Sequence, residues 1–268
     1  MSTTEKIDSS CHDKVIDMHI HSNYSDGLCS PETIFQYAKE ADLKAISITD
    51  HNTIRAFPEA YQESMKAHIE FIPGVELHTL ERRKVTHILG YYMDTQNNSF
   101  ETMLKKANNI SNGNAKVFIG TFQKAQISFL YDGLRTMYRI LKQNYFMDYL
   151  FNRVMFNFLR TTEAIRTIKK LGGIAILAHP KDRTVRSVDF VEIDELVSSG
   201  LDGIEIYNPN HSREDVNKLL TYAQKRGLLI TGGSDFHGFH QDKRVGFFDI
   251  SYSWLKSLKD KKIRQNQK

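Results

Sequence analysis

The sequence predicts an α/β protein built on parallel strands, on three observations. Short apolar runs at Val15–Ile20, Ala45–Thr49, Ile174–Ala178, Gly203–Ile206 and Leu228–Thr231 recur along the chain. Stretches of roughly a dozen residues with helical apolar spacing separate them. Nearly every run also closes in His, Asp or Glu. Strands alternating with helices are the mark of a parallel sheet with helices packed on it.

In order, Val15–Ile20 is a buried strand ending in the pair His19 and His21. Residues i and i+2 of a strand share a face, so the two imidazoles stand side by side, and Asp26 returns a carboxylate after a turn. Ser30-Pro31-Glu32 starts a helix, with Ser at the N-cap, Pro at N1 and Ile34, Ala38 and Ala41 as its apolar stripe. The second strand ends at Asp50-His51-Asn52, and a helical stretch then runs to about Lys66. Ile69 to Val75 reads as a third strand, irregular at Pro73-Gly74 and closed by Glu76.

A hairpin follows, in which Leu77–Leu80 and Val85–Leu89 flank the charged turn Glu81-Arg82-Arg83-Lys84. A turn symmetric about Arg82 and Arg83 sets His87 opposite His78, on the face of Glu76. Residues 99–160, rich in Phe, Tyr, Leu and basic residues, read as amphipathic helices forming an insertion or lid within a single domain spanning 1–268. The helix from Thr162 ends at Gly172-Gly173, a C-cap signal, and the next strand runs into His179-Pro180. The helix from Arg213 ends at Gly227, and the last strand leads into Ser234-Asp235-Phe236-His237. The basic run Lys259, Lys261, Lys262, Arg264 and Lys268 is expected to be a solvated, fraying end.

Composition excludes several classes. Of 268 residues 40% are apolar and 25% charged, enough for an ordinary globular core. A formal charge of +4 is too small to argue nucleic-acid binding alone, and it suits an anionic substrate. Two cysteines, Cys11 and Cys29, form no disulfide framework, which fits a reducing compartment. No apolar run reaches the roughly 20 residues that span a bilayer, and the polar N-terminus has no signal-peptide core. The expectation is a cytoplasmic protein with no stable protein partner.

One histidine at a strand end means little. His19, His21, His51, Glu76, His179, Asp235 and His237 at successive strand ends mean more, because loops at the C-terminal ends of parallel strands converge over one mouth. A mixed His, Asp and Glu set favours a multinuclear hydrolytic centre over a structural zinc, which closes with four ligands, commonly cysteines. No Ser/His/Asp triad or phosphate loop competes.

These residues carry a resemblance. Asp17-x-His19-x-His21 with Ser25-Asp26-Gly27, Thr49-Asp50-His51-Asn52, Pro73-Gly74-Val75-Glu76, His87-Ile88-Leu89-Gly90-Tyr91, Leu177-Ala178-His179-Pro180 and Gly233-Ser234-Asp235-Phe236-His237-Gly238 resemble the ordered motifs of the PHP (polymerase and histidinol phosphatase) family. The stretch Ile204–Ser212 is similar to the branch acting on 3',5'-nucleoside bisphosphates and short RNA ends. The resemblance implies a distorted seven-stranded (β/α) barrel with a helical insertion and two to three divalent metal ions (Mn, Zn or Fe). By position, His19, His21, Glu76 and Asp235 would hold one ion and Asp26, His51 and His237 a second. Glu76, bridging, would hold a third with His87 and His179. His211 would be a substrate-side group, and Asp17 and Asp50 would orient neighbouring imidazoles.

The family's Thr-Arg-x-His segment, whose arginine holds phosphate, has no counterpart around Gln126-Ile127-Ser128-Phe129. Arg135, Arg139, Arg160, Lys181 and Arg183 are the available substitutes, Arg135 and Arg160 being the chosen candidates for substrate binding. The implied activity is hydrolysis of a small phosphorylated substrate, a nucleotide or a short RNA end, by a metal-bound hydroxide. Alternatives are a histidinol-phosphate or phosphotyrosine phosphatase of the same superfamily, or a metal-stabilised binding module without turnover. An amidohydrolase shares the first His-x-His but not Asp26, His51 and the Asp235-x-His237 pair.

Overall fold

The computed structural model describes residues 15–81, 84–108, 159–182, 187–238 and 244–267. Strands β1 (Val15–Ile20), β2 (Leu43–Ile48) and β3 (Glu70–Phe71) form a three-stranded parallel sheet. Strands β4 (Gly74–Glu81), β5 (Lys84–Tyr91), β6 (Ile174–Leu177), β7 (Gly203–Tyr207) and β8 (Leu229–Gly232) form a five-stranded sheet in that order. Here β5 is antiparallel to both neighbours, whereas β6, β7 and β8 are parallel. The expected hairpin reverses the chain at β5, which interrupts the parallel pattern, since parallel neighbours need a long crossover.

The ladders thus draw two sheets of a mixed α/β fold, not one seven-stranded wall. Backbone hydrogen bonds nevertheless link them at two seams. At one, the His21 N–H donates to Phe236 O (2.9 Å) and the Asp235 N–H to His19 O (2.8 Å). At the other, the Asn52 N–H donates to Glu76 O (2.9 Å) and the Glu76 N–H to Thr49 O (3.1 Å). Both seams run through candidate ligands.

The expected third strand is broken in two. Glu70–Phe71 pairs with β2, and Gly74 onward pairs with β5. Pro73, which has no N–H for a ladder, stands at the break. Gly74 suits the crossing, because a Cβ there would lie 2.5 Å from Ser47 Oγ. The β4–β5 register is the one the turn symmetry predicts, with His78 opposite His87 and Glu76 opposite Leu89.

Helices cover the outer faces for reasons written locally. In α1 (Pro31–Glu40) the Ser30 side chain accepts from the Thr33 N–H and Ile34, Phe35 and Ala38 are buried. Helix α2 (Phe57–Ala67) ends at His68 in the left-handed region, and α3 covers 98–108. Helix α4 (Thr161–Lys170) buries Ala164, Ile165 and Ile168. Capping boxes start α5 (Phe190–Ser198) with Asp189 and Glu192, and α6 (Arg213–Arg226) with Ser212 and Asp215, each cap contributing about 1 kcal/mol. Gly227, at φ 64°, ends α6.

The C-terminal run is not a fraying end. Tyr252–Asn266 forms helix α7, which buries Leu255 and Leu258 in a cluster with Ile16, Met18, Ile72, Leu89, Ile174 and Ile176 from both sheets. Three of its basic side chains have partners: Lys259 donates to Glu70 (2.7 Å) and Lys262 to Gly172 O (2.5 Å), and Lys261 lies 3.2 Å from Asp202. Burial of two leucines, roughly 1.5–3 kcal/mol each, outweighs the solvation of the charges, which stay at the rim. The Ile16 N–H donates to Ile250 O just before α7. This packing supports the start of β1, opposite the end that carries His19 and His21.

Candidate metal centre

The cluster is assembled where strands stop. His19 and His21 close β1, His51 follows β2, Glu76 and His87 lie on β4 and β5, His179 follows β6, and Asp235 and His237 follow β8. Close packing holds the first pair. A Cβ on Gly233 would fall 2.4 Å from His19 Cβ and 2.5 Å from His19 N, and one on Gly27 would fall 2.4 Å from His21 O. Only glycine fits such backbone approaches. Asn52 (φ 53°) and Asp235 (φ 50°) sit in the left-handed region, a conformation that costs of order 1–3 kcal/mol away from glycine and clusters at functional sites.

Glu76 is the hub. Its Oε2 lies 3.2 Å from His19 Nε2, His21 Nε2 and His51 Nδ1. Its Oε1 lies 2.9 Å from His179 Nε2 and 3.0 Å from His87 Nδ1. Asp235 Oδ1 adds contacts of 3.5 Å to both His19 and His21. Asp26 meets His21 at 3.4 Å, His237 at 3.4 Å and His51 at 3.6 Å.

Three groups have ligand atoms close enough to share an ion: His19, His21 and Glu76; His21, Asp26, His51 and His237; and Glu76, His87 and His179. His21 stands between the first two, with Nε2 toward Glu76 and Nδ1 toward Asp26. The chemistry of this set fits divalent ions. His21 Nδ1 and His51 Nδ1 are buried and make no well-formed hydrogen bond, although the carboxylates of Asp26 and Glu76 lie 3.4 and 3.2 Å from them. His19 Nε2 and His21 Nε2 face each other at 3.1 Å. Converging lone pairs of this kind ask for a cation.

The electrostatics agree. Burial disfavours the Glu76 carboxylate, but His19, His87 and His51 outweigh it and hold the group well below the usual range. Burial likewise opposes ionisation of Asp235, and His19 and His21 reverse it. Burial lowers His19, yet Glu205, Glu76 and Asp235 raise it well above the ordinary imidazole value. In His51 burial wins, aided by His21 and His87, and the ring is held well below it.

The strongest support for the cluster comes from Glu205, whose segment is quoted above without a role for it. Fully buried on β7, it takes the His19 Nδ1–H on Oε1 at 2.9 Å. Its Oε2 accepts the His179 main-chain N–H at 2.7 Å. The signal in the sequence was a carboxylate inside the apolar run Gly203-Ile204-Glu205-Ile206. The orienting roles expected of Asp17 and Asp50 do not hold. Asp17 accepts the backbone N–H of Ser234 and of Gly246, both at 2.9 Å. Asp50 accepts the Ser22 N–H (2.8 Å) and the hydroxyls of Ser22 and Ser25 (2.6 Å each). Both carboxylates tie loops together: the partners described for them are backbone N–H groups, that of His19 on Asp17 included (3.3 Å), and serine hydroxyls, not ring nitrogens.

A second pair was missed. The His78 N–H donates to Asn52 Oδ1 (2.8 Å), and Asn52 Nδ2 lies 2.8 Å from His78 Nδ1. The His78 ring centroid is 4.2 Å from that of His51 and 4.6 Å from that of His87. Burial first, then the His87 charge, pushes His78 down to about 4.

The expected substrate-side groups fare differently. Both ring nitrogens of His211 are engaged by main chain, Nδ1 with Ile206 O (2.7 Å) and Nε2 with the Lys181 N–H (3.2 Å), so it braces loops in this geometry. Arg160 is exposed at the N-cap of α4 and lines a groove of about 280 Å³ with Thr162, Glu163, Arg166, Thr167 and Lys170, away from the candidate ligands. Lys181 donates to Val188 O (2.5 Å). Arg135, Arg139, Arg183 and the segment around Gln126–Phe129 lie outside the described residues. No helix among the described residues is long and apolar enough to cross a membrane.

Comparison with known proteins agrees with this geometry. A 3',5'-nucleoside bisphosphate phosphatase of Chromobacterium violaceum is 25% identical, over 83% of this chain and 87% of its own length. A phosphoribosyl 1,2-cyclic phosphate 1,2-diphosphodiesterase of Eggerthella lenta is 26% identical over 86% and 97%. A 5'-3' exoribonuclease of Haemophilus influenzae is 27% identical over 84% and 90%. Among solved structures, a metal-dependent phosphoesterase of Bifidobacterium adolescentis superposes with a TM-score of 0.72 at 22% identity, covering 92% of this chain and 96% of that one, which supports the fold. The PHP domain model matches residues 17–176, more than half the chain. The chain belongs to the PHP domain family, and the relatives it matches along most of their length are phosphoesterases.

Proposed function

We propose that this protein hydrolyses a phosphate ester of a nucleotide, a 3',5'-nucleoside bisphosphate or a short RNA end, at a centre of two to three divalent ions. The observation that carries the reading is Glu76, whose two carboxylate oxygens face two different sets of histidines. That is the geometry of a bridging ligand. His19, His21, Glu76 and Asp235 would hold one ion and Asp26, His51 and His237 a second, with His21 beside both. Glu76, His87 and His179 would hold a third. Mn, Zn and Fe all suit imidazole with carboxylate. Bound divalent ions supply Lewis acidity, lowering the pKa of coordinated water and neutralising charge on a phosphate.

The chain's own residues do the rest. The Nδ1–H of His19 on Glu205 leaves the Nε2 lone pair facing the cluster. In His237 the Nδ1–H donates to Asp235 O at 2.9 Å, which turns Nε2 toward Asp26. The two seams support reading the sheets as the wall of a distorted barrel, with residues 99–160 as its insertion and the centre at one mouth. His211 would then position the Lys181 loop, with substrate contact left to basic residues of 99–160 such as Arg135, since Arg160 lines a separate groove.

The likeness to a cyclic phosphate diphosphodiesterase adds a second ester class to the test. Purified protein with Mn is assayed on 3',5'-bisphosphates, short RNA, a ribose 1,2-cyclic phosphate, histidinol phosphate and a phosphotyrosine peptide. Metal-dependent turnover of the first two supports the reading. Turnover of histidinol phosphate alone would overturn the nucleotide assignment. No turnover, with His51→Ala unchanged in metal content, would overturn the enzyme.

A further inference from the structure

The candidate ligands are not equally open. The side chains of Glu76, His19 and His21 are sealed, whereas Asp26 is 52% exposed, His237 24% and His51 16%. The group of His21, Asp26, His51 and His237 therefore stands at the open side of the centre. Two loops carry Asp26 and His51, residues 21–30 after β1 and 49–56 after β2. Arg55 ties these loops together. It lies four residues beyond His51, and its Nη2–H donates to Tyr24 O at 2.9 Å, two residues before Asp26. Consecutive Cα atoms are about 3.8 Å apart, so this bond keeps the guanidinium within roughly 10 Å of the Asp26 backbone.

The head of Arg55 is held in place yet keeps donors to offer. Its central carbon lies 5.9 Å from the Tyr24 ring centroid, and the residue is exposed. A guanidinium carries five N–H donors, of which one goes to Tyr24 O. Among the described residues the others meet no acceptor, and no carboxylate pairs with them. Glu59, one turn further on, takes the Tyr24 hydroxyl at 3.0 Å instead. Lys181 and Arg244, also on loops that carry candidate ligands, are placed differently. Lys181 donates to Val188 O and lies over the Phe190 ring. Arg244 lines a cavity of about 670 Å³ together with Glu40, Asp42 and Asp249. An oriented guanidinium with free N–H groups matches the oxygens of a phosphate, which two parallel N–H groups can bind at once.

We propose that Arg55 holds the second phosphate of a 3',5'-nucleoside bisphosphate while the phosphate to be cleaved sits at the ions. A ribose with a phosphate at each end spans a distance of the order that separates Arg55 from the open ion group. The inference rests on the phosphoesterase reading and adds to it a residue that tells two phosphates from one. Arg55 binds substrate and takes no part in bond cleavage.

The test uses full-length, Mn-loaded protein with a 3',5'-nucleoside bisphosphate and the 3'- and 5'-monophosphates of the same nucleoside. Arg55→Ala should lower kcat/KM for the bisphosphate by about tenfold or more, the scale of hydrogen bonds to a charged group, and through KM rather than kcat. The preference for the bisphosphate over the monophosphates should fall by the same factor. Arg55→Lys, which keeps the charge without the fork, should recover part of the loss. Metal content should match wild type in both variants. A wild type without that preference, or equal losses on bisphosphate and monophosphates in Arg55→Ala, would overturn the proposal. So would lost metal with the preference intact, because Arg55 would then only clamp the Tyr24–Asp26 loop. A wild type that cleaves none of the three would overturn the nucleotide reading, and calorimetry with the bisphosphate then decides on Arg55. Weaker affinity in Arg55→Ala supports the phosphate contact, and equal affinity overturns it.

Discussion

Glu205 holds His19 by a hydrogen bond of 2.9 Å between two fully buried side chains, and its other oxygen holds the His179 backbone at 2.7 Å. One carboxylate thus fixes residues from two of the three groups of converging ligand atoms. Glu205→Gln can present its NH2 to only one of these two donors, where it has nothing to accept, and it removes the charge that favours the imidazole proton. Metal affinity should fall by roughly 10–100-fold, the usual effect of losing a partner behind a metal-ligating histidine. Titration with a fluorescent chelator competitor measures this. An affinity within twofold of wild type would show that His19 does not depend on it.

Gly233 and Gly27 are the two tightest approaches at the site. Any Cβ on Gly233 would press on His19 from 2.4 Å, against main chain that cannot move without shifting β1. Gly233→Ala is expected to destabilise by about 1–3 kcal/mol, as overpacking does, and to reduce bound metal in the fraction that folds. Urea denaturation and metal analysis read the two effects separately.

Helix α7 should behave as part of the core. Leu258 is buried against residues from both sheets, so Leu258→Ala should cost about 2–5 kcal/mol. Lys261→Ala, toward the rim, should cost less than about 1 kcal/mol. Equal effects in thermal denaturation would mean that α7 is held by charge rather than packing.

The pH response of His78 has a defined sign. Burial and the His87 charge push it down to about 4 in the folded protein, against about 6.5 unfolded. Between these values the unfolded chain takes up a proton that the folded chain refuses. Stability is therefore lost as pH falls from 6.5 toward 4, on the order of 3 kcal/mol in full. His78→Gln lacks this loss. In metal-free protein the stability of the variant relative to wild type should rise steadily across that interval, and a constant difference would contradict the shift.

The ligand types were legible in the sequence because they sit at strand ends, where spacing alone carries them to one mouth. The His78–His87 register followed from a four-residue turn. Other features were not legible, for physical reasons. Pro73-Gly74 marked an irregularity in the sequence, but that the chain changes sheets there depends on which sheet edge lies nearest, and spacing does not report that. The anchoring of α7 turns on Leu255 and Leu258 in a run that reads as charged. By motif, the orienting role went to Asp17 and Asp50 and none to Glu205, because whether a buried carboxylate meets a backbone amide or an imidazole is decided by tertiary distance. That both ring nitrogens of His211 meet main chain was not legible either, because a histidine between two loops has the same local sequence whether it faces solvent or braces main chain.

The most direct test of the account counts metal and turnover in the same sample. Protein loaded with Mn, desalted and analysed by mass spectrometry should carry two to three ions per chain and release phosphate from a 3',5'-nucleoside bisphosphate. Glu76→Gln, which weakens the shared carboxylate, should lose more than one ion together with the activity. One ion or none in active wild type, or loss of a single ion in Glu76→Gln, would contradict a centre bridged by Glu76.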